Sequence, residues 1–471
     1  YLTDLGPSPL MERLIAQGYI PIPCGLTAGA NGGSGLYNGH GAVGNPRTPG
    51  HDTGGSSSAA AYILSLEDMP IRLAIGTDTG GSISAPCGAA KLYGWVPEKD
   101  ALSRVNMIPF ATHLDTPGVM GVDRDEVLRL AKALTLPVYQ SHYDVPAEAP
   151  GVFYFEADAK HVSADSRANF DRRIGELRAA GLPVAALDER FAAVRRIPLD
   201  LYADSYVAAA FTLMNPLQVN VLEPQRYILD RNLQNRLAKA AALLKDGALF
   251  DRHLALHVRF RNLVHKMFPS GSVFVAPTPE AVPLKDFRPN GTAGAKLDSH
   301  DILGGMLKNR TDRALFIDPE RRLVIEGRTG DILAAAFARA EARPEVRAGE
   351  PEPHLVIENS AALEEVYTEI YDRYPALIED KAAYGKLVEA LGKRILTLWK
   401  ADEDRFRPGF KVPSIYVDDV MATLYGALSR TGRRELLERL KADDRKRKDR
   451  ESHERLKAGI SKDSSVFRAA S

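Results

Sequence analysis

The amino-acid sequence predicts an α/β protein with a mixed β-sheet core. Segments of helical periodicity alternate with short apolar runs along the chain, which favours a sheet covered by helices over a helical bundle. Hydrophobic residues make up 45% of the 471 residues, enough for a large buried core. The two cysteines, Cys24 and Cys87, lie far apart in the sequence, so we expect neither a disulfide framework nor a thiolate metal site.

The first elements are a helix, a strand and a long irregular segment. Residues 9–18 combine helical periodicity with a closing glycine, and residues 19–23 (YIPIP) form a short apolar run that predicts a strand. From residue 28 to residue 55 the composition changes to Gly, Asn, Ser and Pro. Because a loop of this length inside a compact domain is usually functional or disordered, and this one leads into a serine-rich motif, we expect a functional loop.

A second helix and strand follow the serine-rich motif. Residues 56–66 (SSSAAAYILSL) predict a helix that opens on a serine cap and packs through small residues. Residues 71–75 (IRLAI) predict a strand, and the segment 76–82, which reads GTDTGGS, is expected to follow it as a turn.

The remaining chain continues the alternation and ends in a charged segment. We expect helices over residues 125–134, 166–180, 231–244, 331–342, 361–372 and 381–399, and strands over residues 272–276, 322–326 and 354–357. Residues 430–462 are dense in Lys, Arg, Glu and Asp, which predicts a solvated or partner-seeking helix that frays into a tail.

Charge and hydropathy exclude several classes of partner. The 61 basic and 61 acidic side chains balance, so nothing in the overall charge favours binding to nucleic acid or to an anionic membrane. The basic run 445–450 (RKRKDR) contains an aspartate and has acidic neighbours. We find neither an apolar stretch long enough to span a bilayer nor a signal peptide, and therefore expect a cytoplasmic enzyme.

Ser82 is the candidate nucleophile. A serine hydroxyl reacts only when a base takes its proton and hydrogen-bond donors stabilise the developing oxyanion. Gly80 and Gly81 allow a tight turn that aims successive backbone amides at one point beside Ser82. Taken alone, a Gly-Gly-Ser turn is more often a plain turn than a catalytic one.

The motifs around Ser82 occur in a specific order. They are Asn-Pro-Arg-Thr-Pro-Gly at 45–50, Gly-Gly-Ser-Ser-Ser at 54–58, GTDTGGS, Ala-Pro-Cys-Gly at 85–88, Ile-Pro-Phe-Ala at 108–111, Leu-Asp at 114–115 and Gly118. This run resembles the amidase signature family over roughly residues 10–120, and Phe-Val-Ala-Pro-Thr-Pro at 274–279 resembles a later part of that family.

The resemblance implies a large mixed β-sheet sandwiched by α-helices and a Ser–Ser–Lys triad. Ser82 matches the acylated nucleophile, and the backbone amides of Thr79, Gly80 and Gly81 match the oxyanion hole. A second serine on a cis peptide relays the proton to a buried lysine. No metal or organic cofactor is implied.

The relay serine can be matched in more than one way. Aligning Gly-Gly-Ser-Ser with residues 54–57 makes Ser56 the relay and Ser57 the alternative, whereas a gapless match would place Asp52 or Thr53 there. We prefer Ser56 because proton relay needs a hydroxyl. A mechanism with His51 as the base is the competing possibility near the site.

The family's lysine has no counterpart among these residues. Lys91 is the nearest lysine to Ser82 in the sequence, but it falls where the family has a glycine. We therefore expect the lysine in a segment that precedes Tyr1. Asp78 and Asp115 are predicted to be structural acceptors for turn amides rather than catalytic acids.

These features predict the organisation and function of the chain. We expect an amidase signature core over residues 1–292 that lacks its N-terminal part, a divergent continuation of the same domain that shapes the substrate pocket over 293–429, and a charged helical tail over 430–471. The expected activity is hydrolysis of the C–N bond of a small-molecule amide through acyl-Ser82. The alternatives are an inactive scaffold or binding protein, and the amide-hydrolysing subunit of an amidotransferase. The charged tail is a candidate homodimer element.

Overall fold

The computed structural model of the chain describes only part of its length. The described residues are 8–24, 44–67, 69–105, 107, 114–146, 148–156, 162–187, 240–268, 271–281, 283, 313–336 and 354–358.

Helices and strands alternate through the described residues. The helices are α1 (Pro9–Ala16), α2 (Ser58–Leu64), α3 (Ser84–Ala90), α4 (Arg124–Leu134), α5 (Ala164–Ala179), α6 (Gly247–Met267) and α7 (Thr329–Ala336). The strands are β1 (Ile20–Cys24), β2 (Leu73–Asp78), β3 (Tyr93–Val96), β4 (Thr116–Gly121), β5 (Gly151–Tyr154), β6 (Val184–Ala186), β7 (Ser272–Pro277), β8 (Ala314–Asp318), β9 (Leu323–Gly327) and β10 (His354–Glu358). A short 3₁₀ helix covers Pro137–Tyr143.

The strands form one ten-stranded mixed sheet in the order β1-β10-β2-β4-β3-β8-β9-β7-β5-β6. The two ends of the sheet are parallel: β10 pairs with β1 and β2, and β5 pairs with β6 and β7. The strands between them, from β2 through β4, β3, β8 and β9 to β7, pair antiparallel. Since helices pack against this mixed sheet, the predicted α/β fold is confirmed.

The core lies along the central strands. Trp95 of β3 is fully buried, and its ring centroid lies 5.9 Å from that of Phe316 in β8 and 6.0 Å from that of Tyr143. A second cluster lies where α6 packs on β7, with the rings of Phe155 and Phe274 4.8 Å apart. These aromatic contacts hold the strands that carry the candidate site in a close-packed interior.

Most of the predicted elements are present with shifted ends. Helices occur at 9–16, 124–134, 164–179 and 329–336, and strands at 20–24, 272–277, 323–327 and 354–358. Residues 240–245 of the helix predicted over 231–244 are helical. Residues 28–43, 231–239, 337–342, 361–372, 381–399 and 430–462 lie outside the described residues.

Two predictions around the serine-rich motif need correction. The second helix begins at Ser58, and its N-cap residue, Ser57, makes no side-chain capping hydrogen bond, because its hydroxyl donates to the carbonyl oxygen of Thr77 instead. The strand predicted over 71–75 lies at 73–78. Gly76, Thr77 and Asp78 are therefore strand residues, because β4 supplies backbone partners for them, and the turn begins only at Thr79.

Candidate active site

Ser82 lies in the turn that connects β2 to α3. Its neighbour Gly81 has a φ of +115°, a backbone conformation that residues with side chains rarely adopt. Ser82 is partly exposed, whereas Asp78 at the end of β2 is 1% exposed. The partly exposed Ser82 thus lies on a turn that begins at a buried aspartate.

The carboxylate of Asp78 organises this turn. One oxygen accepts a hydrogen bond from the Gly81 amide at 2.9 Å, and the other accepts from the amides of Ile83 at 2.8 Å and Ser84 at 3.3 Å. The first amides of a helix have no partner inside the helix, so a carboxylate here accepts their hydrogen bonds. Its negative charge also interacts favourably with the positive end of the helix dipole. Asp78 is a structural acceptor for turn amides, as predicted.

The same hydrogen bonds bear on the predicted oxyanion hole. The Gly81 amide already donates to Asp78, so it can serve an oxyanion only if that bond breaks or is shared. We therefore expect the amides of Thr79 and Gly80 to be the principal donors, and the assignment of Gly81 stays a prediction. The hydroxyl of Thr79 donates to the carboxylate of Asp115 at 2.6 Å, a contact that the sequence did not indicate.

The segment from Asn45 to Ser57 runs antiparallel to α3. At the C-terminal end of α3, the Asn45 side-chain amide donates to the Ala89 carbonyl at 2.8 Å, and Arg47 Nη1 donates to the Lys91 carbonyl at 2.7 Å. At the other end, the Ser57 amide donates to the Ser82 carbonyl at 3.2 Å. The fold therefore brings the two serine motifs of the sequence together.

Gly54 allows the close approach of this segment to α3. It has a φ of +73°, and a Cβ placed on it would lie 3.0 Å from backbone atoms of Ala85 and Pro86. Its amide donates to the carboxylate of Asp52 at 3.1 Å. Only glycine fits both the conformation and the contact, so Gly54 has a packing role.

Both candidate relay serines are buried. The peptide bond between Gly55 and Ser56 is cis. The hydroxyl of Ser57 donates to the Thr77 carbonyl at 3.4 Å, and its amide donates to the Ser82 carbonyl. Ser57 therefore links the two motifs structurally, and the assignment of Ser56 as the relay stays a prediction.

The other candidates from the sequence have local roles. Asp52 supports the turn at Gly54, and the ring Nδ1 of His51 lies 3.3 Å from the carbonyl oxygen of Pro49 in its own loop. Lys91 is exposed and follows the last residue of α3 with a φ of 54°. Since a seven-residue helix is on the order of 10 Å long, Lys91 lies at the end of α3 remote from Ser82.

A later motif of the sequence also packs against α3. A Cβ placed on Gly88 would lie 2.4 Å from the carbonyl oxygen of Pro279, so the turn after β7 touches the helix that follows Ser82. Cys87, one residue earlier, is fully buried, in accordance with a small apolar packing role. The carboxylate of Glu280 in the same turn accepts hydrogen bonds from Ser163 and Ser166 at the start of α5.

A buried ionic group lies at the same edge of the sheet, several strands from Ser82. Arg313 donates to the carbonyl oxygen of Ser272 at 2.7 Å, and its Nε lies 3.7 Å from a carboxylate oxygen of Glu326. Burial lowers the pKa of Arg313, and the adjacent Glu326 opposes this shift. Arg313 thus links β7 and β9.

Glu98 accepts a hydrogen bond from the amide of Thr329 and contacts His142. Glu98 thus links the segment after β3 to α7 and to the 3₁₀ helix.

Neither a metal cluster nor a membrane span occurs within the described residues. Among them, no group of three or more His, Cys, Asp or Glu side chains is arranged to hold a metal ion. No helix in this part of the chain has the length and apolar character needed to cross a membrane.

Comparison with known proteins identifies a family and a fold. A family model described as Amidase matches residues 4–292, more than half of the chain. A relative from Symbiobacterium thermophilum, one of the subunits of glutamyl-tRNA(Gln) amidotransferase, is 36% identical over 129 residues, which cover 27% of this chain and 26% of the relative. The chain thus matches well under two thirds of that relative's length.

Two solved structures share the fold at low sequence identity. A crystal structure of an amidase aligns with a TM-score of 0.52 and 19% identity, covering 70% of this chain and 77% of the other. The allophanate hydrolase of Kluyveromyces lactis aligns with a TM-score of 0.53 and 18% identity, covering 70% of this chain and 56% of the other.

Proposed function

The chain belongs to the amidase family, and on this premise we propose that it cleaves the C–N bond of an amide through an acyl intermediate on Ser82. The observation that carries the proposal is the junction of the two serine motifs. A partly exposed Ser82 sits on a turn that Asp78 fixes, and the Ser57 amide ties the buried serine-rich segment to the carbonyl of Ser82.

In the proposed reaction, Ser82 Oγ attacks the amide carbonyl while its proton passes to Ser56. Ser56 in turn passes a proton to a base, which the resemblance predicts to be a lysine. The amides of Thr79 and Gly80 stabilise the oxyanion of the tetrahedral intermediate. The C–N bond then breaks as the relay returns the proton to the leaving nitrogen, which departs as an amine or ammonia. Water then hydrolyses the acyl-enzyme, with the relay acting in reverse.

A fluorophosphonate probe tests the proposal without knowledge of the natural amide. The probe should label the full-length protein, with the segment expected before Tyr1, at Ser82, as identified by mass spectrometry, and Ser82→Ala should abolish labelling. Ser56→Ala should slow labelling on the order of 100-fold or more, because general-base assistance is lost. Ser65→Ala is the matched control, since its hydroxyl donates to the carbonyl of Ala61 on α2. Absence of labelling at Ser82 would favour the inactive scaffold instead.

A second candidate is the amide-hydrolysing subunit of an amidotransferase. It is favoured by the name of the Symbiobacterium thermophilum relative, which is a subunit of glutamyl-tRNA(Gln) amidotransferase. Ammonia release should then be selective for one primary amide and increase when a partner protein that receives the ammonia is supplied. Equal turnover of several small amides by the isolated chain would support the simple amidase.

A further inference from the structure

Thr79 and Asp115 face each other across the end of two neighbouring strands. The antiparallel pairing of β2 with β4 ends at Asp78 and Thr116, so the residues just beyond, Thr79 and Asp115, lie opposite one another. The hydroxyl of Thr79 donates to a carboxylate oxygen of Asp115 at 2.6 Å. Asp115 is 5% exposed.

The contact is of the stronger type of hydrogen bond. A hydroxyl that donates to a carboxylate forms a shorter and stronger bond than one between neutral groups. Placing a carboxylate in a buried position is costly unless it is hydrogen-bonded. A threonine hydroxyl on a partly exposed turn can also be satisfied by water, so the buried acceptor is not needed merely to satisfy Thr79.

The two carboxylates hold the turn from two sides. Asp78 binds the amides of Gly81, Ile83 and Ser84, which follow Thr79 and Gly80, the expected principal oxyanion donors. Asp115 binds the side chain of Thr79, which carries the first of those donors. The peptide groups of Thr79 and Gly80 therefore lie between two fixed points, one on β2 itself and one on the neighbouring strand end.

We propose that Asp115 is a positioning residue that orients the oxyanion-hole amides of Thr79 and Gly80 through the Thr79 hydroxyl. The inference rests on the proposed function, because the oxyanion hole belongs to that reaction. An oxyanion needs donors at about 2.7–3.1 Å, and a displacement of about 1 Å can cost on the order of 100-fold in rate. Asp115 itself need not touch the substrate.

Thr79→Val is the direct test, since it removes the hydroxyl and keeps the shape. The rate of fluorophosphonate labelling at Ser82 should fall about 10- to 100-fold. The thermal unfolding midpoint should also fall, because the buried Asp115 carboxylate loses a hydrogen-bond donor. Thr79→Ser, which keeps the hydroxyl, should restore most of the rate. Thr116→Val is the matched control, because the Thr116 hydroxyl donates to the Leu114 carbonyl, and it should label at the parent rate.

A double-mutant cycle covers the case in which one variant folds poorly. Asp115→Asn keeps an acceptor oxygen but removes the charge, so labelling should slow severalfold. If Asp115 acts through Thr79, the variant that combines Asp115→Asn with Thr79→Val should be no slower than Thr79→Val alone. Multiplicative losses would overturn the inference, as would Thr79→Val labelling at the parent rate.

Amide hydrogen exchange separates this inference from the proposed function. Thr79→Val should accelerate exchange at the amides of residues 79 and 80 relative to Thr116→Val, whether or not Ser82 reacts. If the parent chain is not labelled but exchange accelerates, the proposed function fails and the positioning role stands. Unchanged exchange at these two amides contradicts the positioning role even if Ser82 is labelled.

Discussion

At the scale of single residues, Asp78 contributes to the site through the backbone. Asp78→Ala would leave the amides of Gly81, Ile83 and Ser84 without their acceptor. We expect the free energy of unfolding to fall by roughly 2–4 kcal/mol, since unsatisfied buried donors are costly. Labelling of Ser82 should slow at the same time, because the turn loses its fixed conformation.

Asp123→Ala is the control for this prediction. Asp123 also accepts backbone amides at a helix start, from Asp125 and Glu126 of α4. We expect a loss of about 1 kcal/mol, typical of an N-cap, measured by urea unfolding, and unchanged labelling at Ser82. If both aspartate variants change labelling equally, Asp78 has no specific role at the turn.

Tyr143 gives a prediction on pH dependence. Burial raises its pKa from 10.0 to about 12, although hydrogen bonding to Thr135 opposes the shift. Because the pKa is raised in the folded state, the contribution of Tyr143 to the free energy of unfolding is complete below pH 10. It is lost as the pH rises through about 12. The loss is on the order of 3 kcal/mol at most, because each pKa unit corresponds to about 1.4 kcal/mol.

Tyr143→Phe checks this prediction. The variant should lose the contact between the tyrosine hydroxyl and Thr135, 3.1 Å apart, and be less stable near neutral pH by about 1 kcal/mol. It should also lose the extra decline in stability above pH 10 that the parent shows in urea unfolding. A parallel decline in both proteins would contradict the assignment.

At this scale the sequence suggests candidate residues but not their contacts. Ser82 and Ser56 can be proposed from the sequence because they stand in ordered motifs of adjacent residues. The bond from Thr79 to Asp115 cannot, because it joins residues that only the pairing of β2 and β4 brings together. The use of the Gly81 amide by Asp78 likewise depends on a side-chain rotamer that sequence patterns do not specify.

At the scale of elements, the packing of α3 against the turn after β7 is the tightest contact near the site. Gly88→Ala would place a Cβ 2.4 Å from the carbonyl oxygen of Pro279. Because a backbone atom must then move, we expect a loss of about 1–3 kcal/mol and slower labelling of Ser82. Calorimetry and the labelling rate together measure this effect.

Gly175→Ala provides the opposite control. Gly175 lies within α5, and an added Cβ would meet nothing within 4 Å. Alanine there should stabilise the protein by about 0.5–1 kcal/mol, because it lowers the conformational entropy cost of the helix. A destabilised Gly175→Ala, or an unaffected Gly88→Ala, would contradict the packing described for these helices.

Two elements that position the site were missed in the sequence for physical reasons. The sequence of α3, SAPCGAA, contains a proline and a glycine, which weaken any helical prediction, although Pro86 lies in the first turn where proline is tolerated. The sequence of β4, TPGVMG, contains a proline and two glycines, which strands disfavour. Tertiary packing overrides local preference in both cases.

At the scale of the whole molecule, the sheet needs strands from beyond the region that the family model matches. β8 and β9 lie between β3 and β7, and β10 lies between β1 and β2. A chain that ends at residue 292 would lack all three, so the three remaining parts of its sheet (β1, β2-β4-β3 and β7-β5-β6) could not join. We expect it to lack cooperative thermal unfolding and to elute as aggregates in size-exclusion chromatography.

A chain that ends at residue 429 is the matched comparison. It keeps every described strand and removes only the predicted charged tail, so we expect cooperative unfolding and labelling of Ser82. Cooperative folding of the 292-residue chain would show that β8, β9 and β10 are dispensable. If the protein is a dimer with residues 430–471 and a monomer without them, the tail is the dimer element.

The sequence predicted the mixed sheet but not the order of its strands. Strand identity depends on local patterns such as IRLAI and SVFVA, which the chain displays clearly. Strand order depends on which segments meet, and β10 pairs with β1 and β2 across most of the chain. No local pattern at residues 354–357 identifies those partners.

The position of β10 has a consequence for how the protein is made. β2, which carries the turn with Ser82, obtains one of its two neighbours only when residues 354–358 have left the ribosome. Translation of the intervening chain takes on the order of tens of seconds. During that time the apolar edges of β1 and β2 lack β10, a situation that slows folding and invites aggregation. A nascent chain released before residue 358 should therefore depend on chaperones, and we expect its Ser82 not to react with the fluorophosphonate probe.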